Sequence, residues 1–265
     1  MLLNILITGH RGFIGQNMVK AMYDHKLFFH EWDDSLDISL FEKLDWVIHL
    51  GAISSTTETS ADKIYTQNIE STLELLHLCI DNDVNLQYSS SASVYGMNQD
   101  FREDAPKFPS SHYAWSKFIV DKFVERIMPD LKIYVQGFRY FNVFGSHEDH
   151  KGDQASPYYK FEKQAKETGT IKIFEGSENF RRDFIHVDNV CRIHKLMLDK
   201  PVSGIYNIGM GTTRSFQSVA EEIANKHNAK IEYIPMPENI RKQYQSYTCA
   251  DLTKLNGVLN GKNNF

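Results

Sequence analysis

Leu2 to Met22 reads LLNILITGHRGFIGQNMVKAM, and the order of its parts decides the fold. Leu2, Leu3, Ile5, Leu6 and Ile7 make a nearly continuous apolar run of strand length, as expected of a strand covered on both faces of a parallel sheet. Gly9, Gly12 and Gly15 come next, and Met18, Val19 and Met22 then recur at helical spacing. Strand, glycine turn and helix in that order is the setting of a dinucleotide fingerprint. Gly9 allows a sharp exit from the strand, Gly12 lets backbone N–H groups approach a pyrophosphate, and Gly15 lets the helix pack closely on the sheet. The helix start adds unpaired N–H groups and a positive dipole end. The spacing is GxxGxxG rather than the commoner GxGxxG, and an ordinary strand-to-helix turn is the competing reading.

The chain has 265 residues, 42% of them hydrophobic, enough for one α/β domain with a smaller lobe. No apolar run reaches transmembrane length, and the N-terminal run has no basic leader of a signal peptide. The net charge is −5 with lysines and arginines scattered, which disfavours nucleic-acid and membrane partners. Cys79, Cys191 and Cys249 are odd in number and far apart, as expected of reduced thiols in a cytoplasmic protein.

Taken in order, Leu27–Trp32 reads as a second strand ending at Asp33 and Asp34. Acids there are placed either to accept hydrogen bonds from adenosine ribose hydroxyls or to be solvated in a loop. In the first case they favour NAD over NADP, because Lys43 is not adjacent. Trp46–Leu50 is the third strand, followed by Gly51 and Ala52, small enough to pass beside a cofactor. A helical pattern from Ala61 to Asn82 buries Ile64, Leu73, Leu76 and Ile80, with Asn68 able to bond a loop backbone or the cofactor. Leu86–Ser90 is the fourth strand and runs into SSSASVYG. A polar loop with Pro106 and Pro109 precedes a helix from Tyr113 to about Met128, and Ile133–Val143 reads as one further strand. Past Gly145 the strands shorten (Ile171–Phe174, Ile205–Ile208, Ile231–Ile234) and alternate with helices. The expected architecture is α/β: a Rossmann-type doubly wound parallel sheet over residues 1–145, then a mainly substrate-binding lobe over 146–265 with segments returning to the first domain. His147 and His150 form an HxxH with no third ligand nearby, so no metal is expected.

Ser91, Tyr113 and Lys117 are the residues that can carry chemistry. A tyrosine near its ordinary pKa of about 10 is a poor base at neutral pH. A lysine one helical turn away, with a positive nicotinamide ring, favours the phenolate. The lysine can also hold the nicotinamide ribose, while the serine hydroxyl orients the substrate oxygen. On an isolated helix YxxxK is a common surface pair; here it follows SSSASVYG and a glycine fingerprint.

TGHRGFIG, SSSASVYG, YAWSK and RYFNVFG, in that order, resemble the extended short-chain dehydrogenase/reductase superfamily. SSTTE at Ser54, FRYFNVFG at Phe138, HKG at His150, FEGSENFRRDF at Phe174 and YQSYTCADL at Tyr244 narrow the resemblance to the ADP-glyceromanno-heptose 6-epimerases, over Leu2 to about Leu255. What it implies is an NAD(P)-dependent isomerase. Hydride leaves C6 of a nucleotide-diphosphate heptose and returns to the opposite face, with bound NADP (or NAD) as cofactor. The resemblance places two acid/base groups on Tyr113 and Lys151. It implies substrate contacts at Ser91, Asn142, Phe174, Glu175, Gly176, Ser177, Arg182 and Tyr244. Cofactor contacts fall on Phe13, Ile14, Asp33, Asp34, Asn68 and Lys117, beside the glycine turn, Gly51 and Ala52.

The chain departs from that pattern at Asp153, where a serine is typical, and at Lys160, where a histidine is typical. The loop after the second strand is shortened, and the sequence stops at Asn263-Asn264-Phe265 without the family's final helical segment. Another nucleotide-sugar enzyme of the superfamily (4-epimerase, dehydratase or reductase) and a non-catalytic dinucleotide sensor are the alternatives. A homodimer is expected through the YxxxK helix and the helix before it, using Ala114, Phe118, Val120 and Phe123 with Leu73 and Leu76.

Overall fold

The opening apolar run forms strand β1 (Asn4–Thr8), and α1 (Phe13–Ala21), β2 (Lys26–His30) and β3 (Trp46–His49) follow. The helical pattern after Ser60 becomes one rod in three parts: α2 (Ala61–Ile64), a π turn (Tyr65–Glu70) and α3 (Ser71–Asp81). Next come β4 (Asn85–Ser91), α4 (His112–Ile127) and β5 (Val135–Tyr140). The second half holds β6 (Asn142–Phe144), α5 (Pro157–Thr168), β7 (Thr170–Phe174), β8 (Arg181–Arg182), β9 (Phe184–His186) and α6 (Val187–Leu198). It ends with β10 (Gly204–Ile208), β11 (Arg214–Ser215), α7 (Phe216–His227), β12 (Lys230–Ile234), β13 (Tyr247–Thr248) and α8 (Thr253–Leu259). The structure is a computed structural model describing residues 1–55, 57–238 and 244–260. Thr56 of SSTTE and the terminal Asn263, Asn264 and Phe265 lie outside the described residues.

Six parallel strands stand in the order β10-β5-β4-β3-β1-β2. The chain steps from β1 out to β2, then returns across β1 to β3 and continues the other way. The direction therefore reverses between β1 and β3, and the crevice outside the carboxyl ends of those strands is where such sheets bind ligands. Helices cover both faces, which is why the central strands are apolar without alternation. On one face α3 and α4 pack Leu75, Leu76, Val120 and Val124 against Leu6, Val47, Leu86 and Tyr88. On the other, α1 and α6 bury Met18, Met22 and Cys191 against Ile5, Ile7 and Ile48, and α8 adds Leu255 and Leu259 beside Phe138 and Ile208.

Two sequence expectations are corrected here. Residues 133–143 do not form one strand: Phe141 N–H bonds Ile208 O at 2.9 Å, Asn142 N–H bonds Asp183 O at 3.0 Å, and β6 pairs with β9 instead. Switching partners at Phe141 carries the chain out of the sheet. Of the apolar residues assigned to a dimer face, three are covered by the protomer itself, and Leu73, Phe118 and Phe123 are half-buried. Ala114, Val120 and Leu76 are buried in the protomer's own core, and the exposed apolar residues of α4 are Trp115 and Ile119. The small lobe is built by α5 and α7 on the two-stranded sheet β7-β12, around Phe161, Ile171, Ile173, Val219 and Ile223. No helix among the described residues is long and apolar enough to cross a membrane.

The core is tied together by polar groups. Arg139 of β5 is wholly buried; its Nε donates to Asp121 Oδ2 of α4 at 2.8 Å, and Nη1 donates to Tyr95 OH and Glu103 O. Asp121 also accepts from Tyr88 OH and Ser90 Oγ, both at 2.9 Å. His49 bridges Thr8 and Thr72 between β1 and α3 at 2.7 and 2.9 Å, and His194 lies buried beneath β5.

Burial pushes both His49 and His194 down to about 3, so each stays neutral in the folded chain. The unfolded chain binds protons at these rings near pH 6.5 and the folded chain does not, so stability is full above that pH and falls as the pH drops toward 3. Each ring is expected to cost about 2 kcal/mol between pH 7 and pH 5. Urea unfolding midpoints across that range read this out, and a flat profile would mean that the rings titrate normally.

Candidate active site

The glycine turn sits at the switch point because no side chain fits there. Gly9 has φ +69°, and a Cβ on it would lie 2.5 Å from Gly51 N. Just beyond β1 and β3 the chain therefore passes backbone against backbone at Gly9 and Gly51. A Cβ on Gly15 would stand 2.0 Å from Gly9 O, so α1 packs directly onto the turn. Gly12 is the N-cap of α1 with no side-chain cap, and a Cβ there would meet only Gly9 O at 3.3 Å. The first-turn N–H groups of α1 thus border open space, and its first turn carries no acid to compete with an anion.

Two cavities meet at this turn, of about 510 and 420 Å³, sharing Gly9, Gly12, Leu50 and Ala52. The first continues past Phe13 and Ile14 to Tyr113, Lys117 and Lys151. The second runs past Gly51 to Glu31, Trp32, Asp34 and Leu75. A site with two arms and a backbone-lined waist at a helix N-terminus fits a dinucleotide, with its phosphates at the waist.

Ser111 caps α4 by accepting from Ala114 N–H at 3.1 Å, which puts Tyr113 in the first turn and Lys117 one turn later on the same face. Lys117 is buried and its Nζ donates to Ser89 O at 2.9 Å, at the end of β4. Ser91 hydrogen-bonds Tyr113 and accepts from Ser93 N–H. Burial raises the Tyr113 hydroxyl above the ordinary phenol range, with the Ser91 bond opposing it, and the same burial lowers Lys117 to about 8. Burial therefore opposes the phenolate that the sequence reading expects of Tyr113.

Lys151 enters the same cavity from the loop after β6. Glu148, buried in that loop, accepts from Gly145 N–H, Ser156 N–H and Ser156 Oγ at 2.5–2.9 Å. Asn17 of α1 donates to Ser146 O at 2.9 Å, docking the loop on the fingerprint helix. Lys151 Nζ lies 5.3 Å above the Phe13 ring, and burial lowers its pKa.

Asn142 lines the same cavity, its Nδ2 donating to Asp183 O and Thr248 Oγ1. Phe174, Glu175, Gly176, Ser177, Arg182 and Tyr244 do not line it and belong to the neighbouring lobe. Arg182 is buried there between the Phe216 and Tyr244 rings, at 5.4 and 5.3 Å, donating to Arg181 O and Gln245 O. Among the described residues no carboxylate pairs with it, and Ser177 Oγ is buried without a partner among them.

Asn68 lines neither cavity. Its Oδ1 accepts from Ile53 N–H, and its Nδ2 donates to Ile53 O and Ser116 Oγ, so its amide is saturated in tying the 51–55 loop to α4. Asp33 is exposed beside Arg11 and outside the second cavity, while Asp34 lines it. Glu31, which sequence reasoning passed over, lines that cavity next to His30, and its carboxylate accepts from Arg11 N–H at 2.7 Å. Its signal was available: it directly follows β2, two residues before the acid pair that drew attention. His147 Nε2 stands 2.8 Å from Lys20 Nζ, and no cluster of metal-binding groups occurs among the described residues.

Residues 5–209 match the family model described as the NAD dependent epimerase/dehydratase family. The chain belongs to this family. The expected α/β fold, the expected superfamily and the expected NAD-dependent enzyme are thereby borne out. Among solved structures it is similar to the ADP-L-glycero-D-manno-heptose-6-epimerase of Helicobacter pylori, at 25% identity and TM-score 0.86, covering 98% of this chain and 90% of that one. It is also similar in fold to the UDP-N-acetylglucosamine 4-epimerase of Methanobrevibacter ruminantium, at 22% identity and TM-score 0.86 over 99% and 97% of the two chains. A third is the UDP-glucose 4-epimerase of Thermus thermophilus in complex with NAD, at 22% identity and TM-score 0.81 over 96% and 92%.

Two glycines of the turn, Gly12 and Gly15, predict opposite failures. Gly15→Val should not fold, because its Cβ would overlap Gly9 O. Gly12→Val, whose Cβ needs Gly9 O to give by only a few tenths of an ångström, should fold with at most a modest loss of melting temperature but lose dinucleotide binding. Wild-type NAD affinity in a folded Gly12→Val variant would overturn the placement of the phosphates at this turn.

Proposed function

We propose that the protein is a nucleotide-sugar epimerase that inverts C6 of an ADP-linked, or other NDP-linked, glycero-manno-heptose. The observation that carries this reading is that Tyr113 and Lys151, brought from α4 and from the loop after β6, line one cavity with the fingerprint helix. Inversion presents the carbinol hydroxyl to two sides of a site, so it needs a proton carrier on each. Bound nicotinamide dinucleotide supplies the hydride acceptor and donor, and the positive ring that stabilises a phenolate. Tyr113 takes or returns the proton at the carbinol oxygen of one epimer, Ser91 orients that oxygen, and Lys117 holds the ribose. Lys151 does the same for the other epimer; burial lowers its pKa and so favours the neutral amine relative to an exposed lysine. Arg182, desolvated and without a carboxylate, is suited to the substrate diphosphate. Asn142, Tyr244 and the Phe174–Ser177 turn complete the substrate lobe in this reading.

The resemblance implied NADP, but Glu31 favours NAD. A carboxylate lining the adenosine arm can accept from ribose hydroxyls and repels a 2′-phosphate, while Arg11 is already offset by Asp33 and Asp34. A second copy of the chain is proposed to cover Trp115 and Ile119 on α4, in a seam with the α2–α3 rod.

Two outcomes test this reading. Tyr113→Phe and Lys151→Met should each lower epimerisation of ADP- or GDP-linked manno-heptose by about 10²–10⁴-fold. Each should still carry out the half-reaction that uses the surviving group on a carbonyl analogue. Wild-type epimerisation by Lys151→Met would reduce Lys151 to a loop residue. In separate titrations NAD should bind at least roughly tenfold more tightly than NADP, and Glu31→Gln should narrow that gap. Equal affinities in the unaltered protein would remove Glu31 from the cofactor site.

A further inference from the structure

His194 lies outside the cavity, on α6, yet it decides what Tyr140 can offer inside it. Tyr140 lines the cavity that holds Tyr113 and Lys117, and its hydroxyl is 2.6 Å from His194 Nε2. The other ring nitrogen, Nδ1, is 2.7 Å from Gln87 Oε1. The direction of this chain of bonds is fixed from its far end. Gln136 Nε2 faces three backbone carbonyls, those of Met197, Lys200 and Val202, each at 3.1 Å, and carbonyls only accept. Gln136 Oε1 is therefore an acceptor, and Gln87 Nε2 donates to it at 2.9 Å. Gln87 Nε2 also faces His194 O at 3.1 Å, which fixes the same amide orientation independently. Gln87 Oε1 must then accept from His194 Nδ1–H. Burial keeps the ring neutral, so Nε2 carries a lone pair and Tyr140 donates its only proton to it.

Toward the cavity Tyr140 has lone pairs alone. Like Ile14 and Val143, it packs against the buried cluster on the α6 side of the sheet, whereas Tyr113 and Lys117 come from α4 on the opposite side. A flat ring lying between these walls meets an acceptor on the Tyr140 side, and the carboxamide N–H₂ is the only neutral donor that a nicotinamide ring carries. We propose that His194 is a positioning residue which, by fixing Tyr140 as an acceptor, sets which way the nicotinamide carboxamide and its ring face in the site. This inference rests on the dinucleotide occupying that cavity.

The probes are NAD and 3-acetylpyridine adenine dinucleotide, whose methyl ketone replaces the carboxamide and cannot donate. Affinities are measured by titration of the full chain, following tryptophan fluorescence, so that turnover plays no part. The unaltered protein should prefer NAD by about three- to tenfold, the worth of one neutral hydrogen bond. Tyr140→Phe should bring the two affinities together. His194→Leu returns the hydroxyl proton to Tyr140, which can then donate to the ketone, so the preference should vanish or reverse with Tyr140 still present. A merely structural role for His194 would weaken both ligands alike and leave their ratio unchanged. An unchanged ratio in His194→Leu, or no preference in the unaltered protein, overturns the proposal. If His194→Leu does not fold, Tyr140→Phe carries the comparison, and a preference that survives it overturns the proposal equally. Absence of NAD binding by the unaltered protein overturns the cofactor reading as well, which separates that failure from this one.

Discussion

The ion pair between Arg139 and Asp121 holds the helix that matters most. Both side chains are fully buried, and two charges taken out of water are tolerated only where hydrogen bonds replace the lost hydration. Here Tyr88, Ser90, Tyr95 and Glu103 O supply them, from strands and loops on several sides. Asp121 lies one turn beyond Lys117, which lies one turn beyond Tyr113, so all three share a face of α4. Fixing Asp121 against β5 therefore sets the height and rotation of the other two at the end of β4. Ser116, bonded to Asn68, secures the same helix from the neighbouring rod.

Around the cavities the electrostatics follow one theme. Lys117, Lys151 and Arg182 are each desolvated, and each has its charged form disfavoured by burial first of all. Against a net charge of −5 for the whole chain, these cations are local exceptions placed along the cavity and its adjoining lobe. Burying a cation without a carboxylate is costly unless an anion or a reacting oxygen completes its surroundings. Glu148 sits close to Lys151 but has its carboxylate occupied by the loop backbone, so it shapes the loop and leaves the ammonium facing the cavity.

Much of this was legible in residues 2–22, because a strand buried on both faces, a turn with no room for Cβ atoms and a helix have only a few shared solutions. The Tyr113–Lys117 spacing was equally plain, since helix geometry alone puts the two on one face. The cofactor arm was harder. Sequence reasoning put the ribose acid at Asp33 and Asp34; β2 ends at His30, so Glu31 joins Asp34 in lining the cavity while Asp33 turns into solvent. Asn68 looked available to a ligand because its place in a π turn, which rotates it inward toward Ile53, has no sequence signature. Half of the residues expected at a dimer face proved to be core for a related reason. Helical periodicity finds an apolar stripe without saying whether the sheet or another chain covers it, and the sheet covers Ala114, Val120 and Leu76. The relay through Gln87, Gln136 and His194 joins residues of β4, β5 and α6 that only the folded sheet brings together.

The path of the chain beyond Tyr140 has a mechanical consequence. It leaves the large sheet at Phe141, returns through β9 and α6 to β10, departs again to β11, α7 and β12, and comes back with α8. The small lobe is thus two excursions, each tethered to the large sheet at both ends, rather than a module hung from a single linker. A single tether could swivel; four covalent crossings restrain one another, so relative displacement of the lobe must bend all of them together. Stiffness of this kind keeps the lobe in a fixed register with the cavity that α1 and α4 line.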